Sequence, residues 1–555
     1  MEKIWLKHYP PNVPTEIDPF KYASLLDMFK ESCNKYADRI AYSNMGSDLT
    51  YAELDSKTRD LAAYFQNTLG LQKGERLAIM LPNILQYPLV MFAAFRAGLV
   101  VVNLNPLYTA NEVEHQLKDT GATTIVVLSN FASTVQEALP NTPLKHVIVT
   151  EIGDLFSFPK SLLTNFVVRY IKKLGSACSI SKALKLTTIL KQGAKQTYQE
   201  INLLPTDIAY LQATGGTTGL PKSAVLTHHN MVANVEQMGA WASSLSDREI
   251  MVTPLPLYHI FSLCVNCLLI FKLGGRNILI SNPRDVPGMI KELRTIPFTS
   301  MTAVNTLFNA LVNNDAFKTL DFSKLTTVVA GGMALQKVVA EKWFAITGNY
   351  ICEGYGLTEA SPVVAANPLP LKAYSHGIGL ALPSTVFDIR DEKNQSVGIN
   401  ESGELCVQGP QVMQGYWQNP EETAEVMTAD GFLRTGDIAI IDDEGYCHIV
   451  DRTKNMISVS GFKVYPNQVE DVIASMPGVL EVAVIGVPNA EGQETVKAFV
   501  VRKDPTLTAE GIIAFCHENL THYKVPKLIE FREELPKSNV GKILHRVLKD
   551  EEKVK

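Results

Sequence analysis

The chain has 555 residues, 46% of them apolar and 19% charged, with a formal net charge of −6. That length exceeds one ordinary core, so two or more domains are expected, and the composition is that of a folded protein rather than a disordered or membrane-embedded one. The negative balance disfavours a general nucleic-acid binder, which needs a concentrated basic footprint.

Residues 1–14 carry scattered charges and prolines but no apolar run, so no secretory signal is read and the cytoplasm is the expected compartment. The pattern then predicts helix over 52–69, strand over 76–80, helix over 85–97, strand over 99–103, helix over 111–121 and strand over 123–128. Short β-branched runs between helices indicate a mostly parallel sheet covered on both faces. The apolar stretch 87–104 is interrupted by Arg96 and Gly98, which favours a buried helix and strand over a membrane span.

Residues 155–199 contain no Asp or Glu, yet hold Lys160, Arg169, Lys172, Lys173, Lys182, Lys185, Lys191 and Lys195. Apolar residues including Leu162, Leu163, Phe166, Tyr170 and Ile171 lie between them. Cations and apolar residues at helical spacing suit a segment lying on an anionic membrane surface. An insertion packed on its own domain with solvated lysines has the same composition, and the sequence leaves both open.

A strand-like run next enters Thr214-Gly215-Gly216-Thr217-Thr218-Gly219-Leu220-Pro221-Lys222. Glycines let backbone N–H groups converge on phosphate oxygens, hydroxyls add donors and the lysine adds charge. A Walker A loop is almost matched from Gly216 to Ser223, but Pro221 stands where its second glycine is required. Proline has no N–H and a fixed φ, so that reading fails.

Pro256-Leu-Tyr-His259-Ile-Phe261 follows, leading into an apolar run that contains Cys264 and Cys267. Their spacing is zinc-like, but no second pair or histidine pair completes a site, and most of the eight cysteines read as small core residues. The alternating rhythm returns over 277–280, 289–294, 299–303 and 326–330. The motifs Ala330-Gly331-Gly332-Met333 and Gly354-Tyr355-Gly356-Leu357-Thr358-Glu359 come next. Beyond 377 the strand-like segments 386–390, 403–408 and 445–449 are short and divided by turns, which suggests a β-rich subdomain. Thr435-Gly436-Asp437 and Asp451-Arg452 belong to this region, with Lys454 and Gly461 just after it. A compact α+β block closes the chain, with helix 467–476, strands 479–487 and 494–501, helix 508–519 and a last extended segment. It carries Pro536-Lys-Ser-Asn-Val-Gly541-Lys542-Ile543. The fold class is α/β: a large N-terminal domain (1–451) of mostly parallel sheets covered by helices plus a β-rich subdomain, and a small α+β C-terminal domain (452–555).

Every position from Thr214 to Lys222 fits the signature loop of the adenylate-forming superfamily of acyl-CoA synthetases and luciferases, and the other motifs follow in that family's order. The chain resembles this superfamily over nearly its whole length, above all the bacterial branch that activates long-chain fatty acids. The resemblance implies ATP and Mg²⁺ as cofactors and coenzyme A as co-substrate. His259 would lie at the mouth of the acyl pocket as a catalytic residue. Gly331, Gly332 and Met333 would lie against adenine, and Tyr355, between Gly354 and Gly356, would stack on it. Thr358 would bond the α-phosphate and Glu359 would hold Mg²⁺, a hard cation suited to carboxylate and phosphate oxygens. Asp437 and Arg452 would bind ribose, Lys454 would be the hinge of a mobile C-terminal domain, and Gly461 would reach the pantetheine channel. Lys542 would be the catalytic lysine. Asn455 departs from the Asp common in bacterial relatives, which puts hinge behaviour in question.

The implied reaction joins a fatty acid to coenzyme A through an acyl-adenylate. The expected partners are fatty acid, ATP and coenzyme A, with peripheral contact on the inner face of the membrane and no nucleic acid. A homodimer is open, since oligomeric state is not legible. Ligation of a medium-chain or aryl acid, luciferase-like oxidation and a non-enzymatic lipid-binding role are the rival readings.

Overall fold

The computed structural model describes residues 2–171, 180, 182–214, 221–375, 377–459, 462–488, 494–539 and 541–554. The strands expected over 76–80, 99–103 and 123–128 lie in one sheet, whose spatial order is Leu184–Lys185, His146–Thr150, Thr124–Leu128, Arg76–Met80, Val100–Asn103, Ile208–Ala213 and Ser223–Thr227. All neighbours are parallel except the last pair. Parallel neighbours need crossovers, and helices Gln86–Arg96 and Ala110–Thr120 supply them. The second of these starts on a Thr109–Glu112 capping box, in which each residue satisfies an orphan N–H of the other.

A second sheet runs Leu380–Ala381, Val363–Ala366, Cys352–Gly356, Thr327–Ala330, Ser300–Ala303, Ile250–Thr253, Arg276–Leu279, Ile40–Asn44 and Ser47–Thr50. Its centre is parallel and its rims are antiparallel. One apolar core joins residues of both sheets around helices Gln86–Arg96 and His228–Trp241. Every residue of Gln86–Arg96 is buried, which is why it is apolar all round. Its one charge, Arg96, pairs with Asp55 and donates to Thr58 Oγ1 at 2.9 Å. The stretch 87–104 is thus buried helix and strand, and among the described residues no helix is long and apolar enough to cross a membrane.

The β-rich region is a four-stranded antiparallel sheet, Val386–Arg390, Gly403–Gln408, Leu433–Ile441 and Cys447–Arg452. Its last strand starts later than the sequence pattern predicts, because Gly445 turns at φ +85° against the backbone of Trp5. In the C-terminal block, helix Pro466–Ser475 packs on strand Val479–Pro488, which pairs with Glu494–Arg502. The last extended segment is strand Leu528–Arg532, parallel to Glu494–Arg502; the short pair Ile457–Val459 and Phe462–Val464 was not expected, nor was helix His545–Val554. That helix is mostly charged and has few apolar residues to signal it, yet its Leu548 is fully buried. The block has apolar clusters of its own, built from Ile457, Val469, Ile473, Val484 and Val500 and from Ile485, Phe499 and Leu548.

The acid-free segment divides in two. Helix Leu186–Gly193 buries Leu186 and Ile189 against helix Tyr51–Asn67, as the packing alternative expects. Helix Lys160–Phe166 and the turn Val167–Ile171 instead leave Phe158, Leu162, Leu163, Phe166, Tyr170 and Ile171 each more than half exposed.

Candidate active site

The predicted site residues gather around the rims of these sheets. Buried Thr214 donates its N–H to the Lys222 carbonyl at 2.8 Å, closing the base of the loop where Ile208–Ala213 turns into Ser223–Thr227. Gly215, Gly216, Thr217, Thr218, Gly219 and Gly461 lie outside the described residues. The Lys222 ammonium pairs with the Glu422 carboxylate and sits 5.2 Å from the centre of the Tyr416 ring. The Tyr416 hydroxyl donates to Glu359 Oε1 at 2.8 Å, so Tyr416 links the residue expected to hold the metal to the loop lysine. The segment carrying Tyr416 is stitched to both neighbours: Met413 N–H donates to the Glu359 carbonyl, and Trp417 N–H to the Ser223 carbonyl, each at 2.8 Å.

The nucleotide side is built from strand Cys352–Gly356 and from Asp437 in strand Leu433–Ile441. Tyr355 donates its hydroxyl to Asp437 Oδ2 at 2.5 Å, while Arg452 Nε stands 3.2 Å from Asp437 Oδ1. Burial, then the Asp437 charge, pushes the Tyr355 hydroxyl well above its usual range, so it stays a donor. Gly356 has no room for a side chain, since a Cβ there would stand 2.2 Å from the Pro362 carbonyl oxygen. Gly331 lies against the Phe261 ring, and exposed Gly332, at φ +83°, lies beneath the Lys542 side chain. Met333 is half-buried in the same turn, and Thr358 opens the short helical turn Thr358–Ala360 that carries Glu359.

Lys542 is therefore brought to the glycine turn by the C-terminal block. Burial and then the Arg452 charge lower its ammonium pKa to about 8, with Asp437 opposing them. His259 belongs to a segment that Asn83 fixes, accepting from Leu257 N–H at 2.8 Å and donating to the Thr253 and Leu255 carbonyls. Its Nδ1 accepts from Phe261 N–H at 3.3 Å, and burial followed by the Lys542 charge lowers its pKa to about 3. The ring is neutral near pH 7, with Nε2 left as an N–H donor. Lys454 is exposed, and its carbonyl accepts from Lys549 at 3.4 Å.

Lys222, Tyr416 and Glu359 thus form one linked set, and Tyr355, Asp437, Arg452 and Lys542 form another, with Gly332 beneath Lys542 and His259 within reach of its charge. The AMP-binding enzyme family matches residues 29–417, and the AMP-binding enzyme C-terminal domain matches residues 468–542. The chain belongs to the AMP-binding enzyme family. It is 54% identical to a long-chain-fatty-acid–CoA ligase of Escherichia coli O157:H7, over 99% of this chain and 98% of that protein. The corresponding figures for the ligase of the same name from Yersinia pestis are 55%, 100% and 98%. Among solved structures, the anthranilate CoA ligase AuaEII in complex with anthranoyl-AMP superposes with a TM-score of 0.86 at 22% identity, covering 97% of this chain and 99% of its own. That likeness shares the fold, a large domain of mostly parallel sheets with helices and a small C-terminal domain.

Tyr416 and Glu422 were missed in the sequence reading. A helix-start signal was present, with Asn419 capping, Pro420 at the first helical position and Glu421 and Glu422 after it. Nothing in it tells that Glu422 meets a lysine 200 residues away.

Proposed function

We propose that this protein joins long-chain fatty acids to coenzyme A through an acyl-adenylate, releasing pyrophosphate and AMP. It is an AMP-forming acid–thiol ligase that uses ATP and Mg²⁺. The observation that carries the reading of its mechanism is Lys542 lying over Gly332 with Asp437 and Arg452 acting on its charge.

A carboxylate is a poor acyl donor because oxide would have to leave. Attack of a carboxylate oxygen on the ATP α-phosphorus makes the acyl–phosphate bond and breaks the bond to the bridging oxygen, so pyrophosphate departs. Both reactants are anions, and the chain's task is charge neutralisation and alignment. Lys542 offers its cation to the acyl carboxylate and the α-phosphate side, Lys222 serves the outer phosphates, and Thr358 adds a donor. Tyr355 and the glycine turn hold adenine, with Asp437 and Arg452 on ribose. Glu359 offers one carboxylate, and among the described residues no cluster of three His, Cys, Asp or Glu could hold a metal. That donor set fits Mg²⁺, which relies on one or two carboxylates plus substrate phosphates. When bound, the ion neutralises charge on the phosphates. His259, neutral and with Nε2 as donor, can orient an acyl oxygen but cannot supply a cation.

In the second step the coenzyme A thiol attacks the acyl carbon and AMP leaves. The domain of residues 452–555 turns about Lys454, withdraws Lys542 and brings Gly461 toward the thiol. A panel of acids of graded chain length, read by coenzyme A-dependent AMP release, tests the substrate class. Long-chain acids should give the highest kcat/KM; a maximum on an aryl or medium-chain acid would replace the reading.

A second reading concerns location, and the exposed apolar face of 158–171 supports it. Six large apolar side chains there face solvent within an acid-free stretch that also carries Arg169. Such a face suits peripheral contact with an anionic bilayer, from which a fatty acid would enter. Vesicles with anionic lipid should float the protein, and Leu162→Ser/Phe166→Ser should abolish flotation while leaving the melting temperature unchanged. Equal flotation by the variant would rule this face out.

A further inference from the structure

The stretch 305–313 lies outside every nucleotide motif, yet three of its side chains bond the C-terminal domain, beside an apolar contact that Val338 makes with that domain's core. It forms helix Asn305–Val312 with Asn313 as its C-cap. Thr306 Oγ1 donates to the Gly541 carbonyl at 2.9 Å. Asn309 Nδ2 donates to the Leu480 carbonyl at 2.9 Å, and Asn313 Oδ1 accepts from Lys503 Nζ at 3.0 Å. Positions three and then four residues apart lie on one helical face, so these side chains make a single polar stripe.

The stripe is itself held in place. Asn305 and Gln336 exchange two hydrogen bonds of 3.1 Å at the helix start, and Asn313 Nδ2 donates back to Asn309 Oδ1 at 2.9 Å. At its other end it meets the hairpin that presents Lys542. Ser538 N–H donates to the Lys542 carbonyl at 2.7 Å, and Lys542 N–H to Ser538 Oγ at 3.1 Å. Gly541, at φ +85°, is the residue before the lysine, and a Cβ there would stand 2.9 Å from Thr306 Oγ1. The hydroxyl of Thr306 therefore sets the height at which the lysine enters. Arg284 Nη2 adds a bond to Asn539 Oδ1 at 3.2 Å on the hairpin's exposed side.

We propose that Thr306, Asn309 and Asn313 form a docking rail that seats the C-terminal domain for the first half-reaction, with Thr306 as the positioning residue for Lys542. The inference rests on the reading of Lys542 as the lysine of that half-reaction. The polar character of the rail follows from the need for release. An apolar stripe would cost free energy when bared to water, whereas amides and a hydroxyl exchange their carbonyl and ammonium partners for water at little net loss. The contacts belong to the arrangement in which Lys542 lies over Gly332, so they favour that arrangement over others.

The test separates the half-reactions on the full-length enzyme, using ATP–pyrophosphate exchange for the first and thioester formation from supplied acyl-AMP for the second. Thr306→Val and Asn309→Leu should each slow exchange roughly three- to ten-fold, the worth of one interfacial hydrogen bond. Both should leave thioester formation unchanged or faster, and Thr306→Ser should restore exchange. Equal loss in both half-reactions, or no loss in exchange, would overturn the rail. Lys542→Ala serves as the control. If it fails to separate the half-reactions, the role of that lysine falls and the rail's purpose with it. If it separates them while Thr306→Val does not, the rail alone falls.

Discussion

Lys542 holds an ammonium that burial and Arg452 disfavour, with a pKa of about 8. The charged form exists below that pKa, so kcat/KM for adenylate formation should fall as pH rises through about 8. Lys542→Arg keeps its charge at every working pH and should lose that inflection, whatever it costs in rate. A pH profile of ATP–pyrophosphate exchange decides, and an inflection surviving in the arginine variant would transfer it to another group. His259, at about 3, should add no inflection near neutrality. Asp437 is buried and accepts the Tyr355 hydroxyl while facing Arg452. Asp437→Ala removes hydrogen bonds to a charged acceptor and leaves both neighbours short of a partner. ATP binding should weaken about ten- to hundred-fold by titration calorimetry; unchanged affinity would count against its ribose role.

At the scale of elements, the two halves of the acid-free segment answer to different physics. Gly193 ends the packed helix where a Cβ would stand 1.9 Å from the Asp60 carbonyl oxygen, so the two helix backbones meet directly. Gly193→Val should force them apart at a cost of about 1–3 kcal/mol and lower the melting temperature. Lys191→Ala, at an exposed position, should leave it unchanged, and equal melting of the two variants would refute the close-approach argument. Helix Lys160–Phe166 is anchored on its polar side, where Asn165 Oδ1 accepts from Gly153 N–H at 2.8 Å and Lys160 Nζ donates to the Met45 carbonyl at 2.6 Å, and its apolar side chains stay exposed. One composition therefore covered a packed helix and an exposed one.

At the scale of the whole molecule, Lys542 belongs to the C-terminal block, whereas Gly332, His259 and Asp437 beside it belong to the rest of the chain. Lys542→Ala should depress adenylation by orders of magnitude while sparing thioester formation from acyl-AMP. Comparable losses in single-turnover assays of both steps would deny it a step-specific role.

Much of this was legible beforehand. Strands such as Arg76–Met80 and Gly403–Gln408 fall at their expected bounds, because period-two and β-branched signals are local. Pro221 excluded a Walker loop by its own covalent structure. By itself the sequence determined the α/β class and the family, since each depends on short spacings and residue type. Tertiary structure alone decided that Tyr416 bridges Glu359 and Lys222, that Glu422 holds that lysine, and that Thr306 meets the residue beside Lys542. Those pairings join segments up to 235 residues apart, and no local propensity encodes which distant side chains the packed sheets bring face to face.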